Sequence, residues 1–241
     1  MSSSPAMAGE QPHADGASAV TIDELVLADA PERWRALGFE LDRADGLLLG
    51  SVRVRLAGDA ARADAAPGFL GWSLHGLAST ELDGLVTSAS QRAPTAPTAP
   101  AAPREPHPNA ITAIDHVVAM TPALDRTTAA LLAAGLDLRR VRDEPTPAGA
   151  PRQAFFRLGE AILEVVQEPY ELVERRDGAE RPARLWGLAL LSADLDRTVH
   201  VLGEHAGEAR DAVQPGRRIA TVRRSAGLAV PVAVMSARPP R

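Results

Sequence analysis

Histidine, aspartate and glutamate are the residues of this chain that could hold a metal ion or transfer protons. The chain has no cysteine, which excludes disulfides, thiolate nucleophiles and cysteine-based zinc or iron–sulfur sites. It has six histidines, so any metal ion would be bound by nitrogen and oxygen. We find no phosphate-binding loop, no GxGxxG fingerprint and no ordered Ser-His-Asp set. Metal-assisted chemistry, acid–base chemistry and simple ligand binding remain.

Two candidate strands each carry one polar side chain on an otherwise apolar face. Strand alternation predicts that His116 shares a face with Ile114 and Val118. The same alternation gives Glu164 apolar neighbours two positions away on either side. A buried carboxylate needs a metal ion or a hydrogen-bonding partner, because without one its pKa would shift until the group is neutral. The two residues therefore predict either a metal site or a buried polar pair.

The elements that would position these residues follow the order β-α-β-β-β. β-Branched and apolar runs predict the strands, and Gly135 ends the predicted helix. The predicted elements are a strand at 111–120, a helix at 125–134, and strands at 136–143, 152–158 and 161–167.

An internal repeat shows that this order occurs twice. The segment IDHVVAMTPALDRTTAAL (114–131) aligns without gaps on LWGLALLSADLDRTVHVL (185–202), and both contain Leu-Asp-Arg-Thr. The later strands align with short gaps. We therefore predict one domain at 111–237, made of two βαβββ modules at 111–168 and 183–237.

A fainter copy of the module precedes this domain, at 20–87. It begins with TIDELVLA, has a short helix at 34–37, and has strands near 39–43 and 47–56. A further strand is predicted at 69–77, with a pairing that the sequence does not define. The Pro- and Ala-rich stretch at 88–110 predicts an extended linker, and residues 1–19 predict a disordered tail.

Composition narrows the set of partners. A net charge of −5 and a pI near 5.7 argue against binding to nucleic acid, which requires a basic face. No apolar run is long enough for a membrane span, and the N-terminal stretch lacks the features of a signal peptide. We expect a cytoplasmic protein with no membrane partner.

The two modules resemble the glyoxalase/bleomycin-resistance/extradiol-dioxygenase superfamily, also called the vicinal oxygen chelate superfamily. In that superfamily, IDHVV-type first strands and ILEVV-type last strands open and close each module. The resemblance implies an α+β fold in which tandem βαβββ modules form a cup-shaped mixed sheet, with a degenerate module at the N-terminus. That module carries Glu24 and Arg55 at the matching positions, which predicts an ion pair.

The same resemblance implies a divalent metal ion, Zn, Ni, Mn or Fe, held in the cup by His116 and Glu164. The matching positions of the second module are assigned to Gly187 and Pro231, whose side chains cannot bind a metal. A third ligand would have to come from a carboxylate or from one of the other histidines. The histidines considered are His75, His107, His200 and His205.

Two functions follow from the resemblance. One is a glyoxalase-like lyase, isomerase or dioxygenase, with Glu164 as the base. The other is a non-catalytic small-molecule binder of the bleomycin-resistance type that uses no metal. In both, Gln153, Phe155 and Arg157 are predicted to line the pocket, because they share one face of their strand. The partner is a small molecule, and the resemblance is compatible with a homodimer.

Overall fold

The computed structural model describes residues 19–61, 68–93, 106–146, 149–176 and 178–238. These residues form thirteen strands in two mixed sheets and four short α-helices, which confirms the predicted α+β class. No helix in these ranges is both long and apolar enough to cross a membrane. Apart from residue 19, the predicted tail lies outside the described residues.

The larger sheet has eight strands in the order β11-β12-β13-β10-β6-β9-β8-β7. Its first module contains β6 (Ile111–Thr121), α2 (Leu124–Ala133), β7 (Asp137–Arg142), β8 (Gln153–Leu158) and β9 (Ala161–Gln167). A short helix, α3 (Tyr170–Arg175), leads to the second module. That module contains β10 (Arg184–Ser192), α4 (Leu195–Leu202), β11 (Arg210–Asp211), β12 (Arg218–Thr221) and β13 (Val232–Ser236).

The two modules are related by a pseudo-two-fold axis at the centre of this sheet. The first strand of each module lies parallel to its last strand, β6 beside β9 and β10 beside β13. The two first strands pair antiparallel, with Val117 opposite Leu188. These two residues align with each other in the sequence repeat, so the axis passes between them. The sequence repeat therefore corresponds to a duplication of the βαβββ module in the structure.

A pair of buried hydroxyl groups explains why Thr recurs in the Leu-Asp-Arg-Thr segment. The Thr127 hydroxyl lies 2.6 Å from that of Thr121, and the Thr198 hydroxyl lies 2.7 Å from that of Ser192. In each module the strand hydroxyl also accepts a backbone N–H two residues later, just before the helix. Each pair therefore fixes the angle at which the chain passes from the first strand into the helix.

The smaller sheet has five strands in the order β2-β3-β1-β4-β5. Its elements are β1 (Thr21–Leu27), α1 (Pro31–Ala36), β2 (Gly46–Leu49), β3 (Val52–Leu56), β4 (Phe69–His75) and β5 (Thr87–Ala89). The strand predicted near 39–43 is absent from these described residues. Asp42 instead accepts the backbone N–H groups of Ala44 and Gly46, which forms a turn.

The pairing register of the smaller sheet repeats that of the larger one. Ile22 lies opposite Leu74 as Ile114 lies opposite Leu190, and one extra residue follows on the first strand in both sheets. β5 lies parallel to β4, as β13 lies parallel to β10. The N-terminal region is therefore a reduced version of both modules rather than of one. Among the described residues, its first half has three strands and its second half has two.

One hydrophobic core joins the two sheets. It contains Leu25 and Trp72 from the smaller sheet together with Val117 and Leu188 from the larger one. A backbone hydrogen bond of 2.8 Å from Gly50 to the carbonyl of residue 112 also connects them. The opposite faces of both sheets, which carry the polar residues discussed below, point away from this core.

The predicted linker is shorter in the structure than in the sequence analysis. Its first two residues belong to β5, because they pair with β4. At its other end Asn109 is buried, and its side chain donates to the Leu37 carbonyl at 2.9 Å. Residues 94–105 of the predicted linker lie outside the described residues.

Candidate functional site

A β-bulge in β6 places two neighbouring polar residues on the same side of the sheet. His116 lies opposite Ala189 and Ile114 lies opposite Leu190, so Asp115 is an extra residue in β6. The bulge interrupts the alternation, and Ile114 is buried in the core while His116 is not. The prediction that Ile114 and His116 share a face was therefore wrong. Val118 does lie on the same face of β6 as His116, the face that points away from the core.

His116 lies between two carboxylates. Its Nδ1 is 2.8 Å from Asp115 Oδ2, and its Nε2 is 3.3 Å from Glu164 Oε2. A neutral imidazole can donate a hydrogen bond at only one nitrogen, whereas an imidazolium can donate at both. The geometry thus allows one proton to lie between His116 and Glu164 while Asp115 orients the ring.

Glu164 is partly shielded from solvent on β9. The Glu164 side chain is 17% exposed. Its neighbour in the pairing of β9 with β6 is Val118. Gln153 on β8 shares this face, and its amide donates to Glu164 Oε1. Burial raises the pKa of the Glu164 carboxyl above its usual range, although His116 and the hydrogen bond from Gln153 partly oppose this shift. Glu164 is therefore a better proton acceptor than an ordinary surface glutamate.

Asp115 is held in its charged form by an arginine from the other module. Arg217, which is only 5% exposed, places Nη2 2.5 Å from Asp115 Oδ1, and its Nε donates to the Ser236 carbonyl at 2.9 Å. Burial alone would raise the pKa of Asp115, but the hydrogen bonds from His116 and Arg217 outweigh it and lower the pKa. Asp115 is thus a fixed anion beside the imidazole.

A shallow depression of about 180 Å³ lies beside His116. Its lining comes from β6 and from the second module, and Trp186 stands at its edge with 41% of its surface exposed. Of the predicted pocket residues, Gln153 contacts Glu164, and Phe155 lies opposite Glu164 in the pairing of β8 with β9. Among the described residues, none of Gln153, Phe155 and Arg157 lines the depression itself. A substrate-contacting role for these three remains a prediction.

Comparisons with known proteins provide an independent view of the fold. No family model and no curated protein matches the chain. Among solved structures, a xylose isomerase-like TIM barrel/4-hydroxyphenylpyruvate dioxygenase fusion protein matches 94% of this chain and 50% of its own, with a TM-score of 0.57 and 12% identity. This match and the strand order given above agree. The chain has the vicinal oxygen chelate fold.

Smaller proteins match about half of the chain. Methylmalonyl-CoA epimerase from Mycobacterium tuberculosis matches 54% of this chain and 91% of its own, with a TM-score of 0.43 and 18% identity. A Streptomyces coelicolor methylmalonyl-CoA epimerase in complex with 2-nitronate-propionyl-CoA matches 54% and 99%, with a TM-score of 0.40 and 17% identity.

The donor set of this domain does not fit a catalytic metal centre, which usually has three protein ligands. By register, Ala233 rather than Pro231 is the counterpart of Glu164, because Ala189 lies beside Ala233 as Val118 lies beside Glu164. The earlier assignment was therefore displaced by two residues. The other counterpart, Gly187, packs so closely that a Cβ there would lie 3.0 Å from the Pro231 carbonyl oxygen.

The second module therefore supplies no side-chain ligand at either position. Within the described residues, no group of three histidines, aspartates or glutamates is arranged to hold a metal ion. Two of the histidines predicted as possible third ligands lie elsewhere or contact other groups. His75 lies on β4 of the smaller sheet, and His107 contacts the Leu48 carbonyl at 3.2 Å.

Three residues of this site, Asp115, Arg217 and Trp186, were not among the residues predicted from the sequence. Asp115 was overlooked because simple alternation turns it away from His116, and only the bulge reverses this. Arg217 lies 102 positions from Asp115, and no local pattern connects them. Trp186 carried one signal in the sequence, since it aligns with Asp115 in the ungapped repeat; its exposure is visible only in the structure.

Proposed function

We propose that this protein binds a small molecule beside His116 and transfers a proton to and from it. The observation that carries the proposal is the position of the His116 ring between Asp115 and Glu164, next to the depression. A histidine oriented by one carboxylate and coupled to a second is an arrangement suited to general acid–base catalysis.

Charge balance indicates the form that accepts a proton. Arg217 and Asp115 together are neutral, so the state with neutral His116 and ionised Glu164 carries one net negative charge. Adding a proton between His116 Nε2 and Glu164 Oε2 removes this charge. Burial disfavours the ionised form of Glu164 and raises the pKa of its carboxyl, so Glu164 favours proton uptake.

The proposed reaction begins at a C–H bond next to a carbonyl group. The pair formed by His116, which lines the depression, and Glu164 takes the proton. The electron pair of the C–H bond moves towards the carbonyl, and its oxygen gains negative charge. Return of the proton to carbon gives an isomerase-type outcome, and loss of a neighbouring group gives a lyase-type outcome.

Exchange of carbon-bound hydrogen in D2O would test this proposal. We expect the protein to accelerate deuterium incorporation next to the carbonyl of a small ketone such as acetophenone. Both His116→Ala and Glu164→Gln should lower the rate by about a hundredfold or more, which is the usual contribution of a general acid or base. His200→Ala is the matched control, because His200 is an exposed residue of α4. Equal rates in all four proteins would refute the proposal.

The alternative function is ligand binding without catalysis. The apolar lining of the depression favours it, since side chains such as Val118 and Val232 can hold a ligand without changing it. In that case a ketone would bind to the wild-type protein, but hydrogen exchange would not exceed the buffer rate. The exchange experiment therefore separates the two functions.

A further inference from the structure

We infer that the ligand of the depression is an uncharged molecule with a single aromatic ring. This inference rests on the proposed function, because it takes the depression beside His116 as the substrate site. Three features of the depression support it: the polarity of its lining, its size and the exposed ring of Trp186.

The lining of the depression offers no counter-charge for an anion. Most of its described residues are apolar, and His116 is the one ionisable side chain among them. The nearby cation, Arg217, already donates to Asp115 and to the Ser236 carbonyl, and it is almost completely buried. A carboxylate or phosphate would lose its hydration here without gaining an ion pair, so a neutral ligand is favoured.

The size of the depression fits one ring rather than an extended ligand. Its volume is about 180 Å³. An apolar protein cavity of roughly 150 Å³ can hold a benzene molecule, whereas pockets for drug-sized ligands run from about 300 Å³ upwards. A single ring with a short carbonyl-bearing substituent would occupy the available space and place its reactive carbon near His116.

Trp186 favours an aromatic ligand over a saturated one. It is the extra residue of a second bulge, between Leu185 and Gly187, and this bulge mirrors the one at Asp115. The bulge leaves the large indole partly exposed at the edge of the depression, whereas Trp34 and Trp72 are buried. An indole face in this position can stack on a planar ring, which adds to the attraction of burial alone.

Calorimetric titration of the full chain with three probes tests this inference. The probes are acetophenone, cyclohexyl methyl ketone, which is a saturated molecule of similar size, and 4-acetylbenzoate, which adds a negative charge. We expect acetophenone to bind about three- to tenfold more tightly than the saturated ketone, in line with the strength of aromatic pairs. It should bind at least tenfold more tightly than the anion.

Two variants assign the aromatic preference to Trp186. Trp186→Leu keeps an apolar side chain but removes the ring, and it should abolish the preference for acetophenone over the saturated ketone. Trp186→Ala should also abolish this preference, and it should weaken the binding of both ketones. Tyr170→Ala is the control, because Tyr170 is an exposed aromatic residue outside the lining of the depression. It should leave all three affinities unchanged.

Several results would overturn the inference. These are tightest binding of 4-acetylbenzoate, no binding of any probe, or an aromatic preference that survives in Trp186→Leu. Protection of all tryptophan fluorescence from acrylamide would also overturn it, since the indole of Trp186 would then be covered by another part of the protein or by a second copy.

Failure of this inference can be told apart from failure of the proposed function. Binding needs no proton transfer, so an aromatic preference without hydrogen exchange would refute only the proposed function. Exchange of an anionic or saturated ketone alone would refute only the ligand class.

Discussion

Arg217 Nη2 lies 2.5 Å from Asp115 Oδ1, and this ion pair connects the two modules across 102 positions of sequence. The arginine lies just before β12 in the second module, and the aspartate lies on β6, the first strand of the first module. The second module therefore contributes an arginine to the site where the resemblance implied metal ligands. This arginine fixes the charge of Asp115, and Asp115 orients His116.

Removal of Arg217 should destabilise the protein far more than removal of its neighbour. Arg217→Met leaves the partly buried Asp115 carboxylate with His116 as its remaining described partner, and we expect it to lower the free energy of unfolding by about 3 kcal/mol. Arg218→Met breaks an exposed ion pair with Asp196 and should cost less than about 1 kcal/mol. Urea denaturation of the three proteins measures both values. Equal costs for the two variants would show that the Asp115–Arg217 pair is not the buried anchor described above.

Glu164 should make stability fall as pH rises. Its pKa in the folded protein is raised above the ordinary value of 4.5, so its favourable contribution is complete below that value and is lost as pH rises through the folded pKa. Glu164→Gln removes this titration, and its free energy of unfolding relative to wild type should increase from pH 4 to pH 7. Glu174→Gln, an exposed variant on α3, should show no such trend. An opposite slope for Glu164→Gln would contradict the stated pKa direction.

Asp115 should have the opposite dependence on pH. Its pKa is lowered below the ordinary value of 3.8, so its contribution is present above that value and is lost as pH falls through the folded pKa. Asp115→Asn should therefore be most destabilised relative to wild type near neutral pH, with the difference shrinking in acid. Chemical denaturation at pH 3 and pH 7 measures the difference. A constant difference would mean that Asp115 has no altered pKa.

The buried hydroxyl of Thr198 should contribute measurably to stability. It lies 2.6 Å from the Asn109 carbonyl oxygen and 2.7 Å from the Ser192 hydroxyl. Thr198→Val leaves both without this partner and should cost about 1–3 kcal/mol, because an unsatisfied buried polar group carries that penalty. Thr127→Val, the counterpart in the first module, should cost a similar amount. Thermal unfolding of both variants tests the pseudo-symmetry of the two modules.

Metal binding should be weak. With His116 and Glu164 as two side-chain ligands, the site falls short of the three that catalytic zinc centres use. We expect purified protein to contain much less than one equivalent of Zn, Ni, Mn or Fe, and chelator treatment to leave its melting temperature unchanged. Elemental analysis and thermal unfolding check this. A stoichiometric metal that is lost in His116→Ala would show that a third ligand completes the site.

The sequence by itself determined the fold class and the two modules of the larger sheet. Strand alternation and the ungapped repeat are encoded locally, because a residue's preference for strand, helix or turn depends mostly on its near neighbours. The same signals identified His116 and Glu164 as polar residues on apolar strands. The predicted ion pair between Glu24 and Arg55 is also confirmed, with a distance of 3.2 Å.

Only the tertiary structure decided how these residues are arranged. The bulges at Asp115 and Trp186 arise from the pairing of β6 with β10, and a bulge has no reliable signature in either strand alone. The counterpart of Glu164 likewise depends on the register of β13. Arg217 reaches Asp115 because two modules that are distant in sequence share one sheet. Contacts of this kind depend on which strands pair, and that is decided by the packing of the whole core rather than by local sequence.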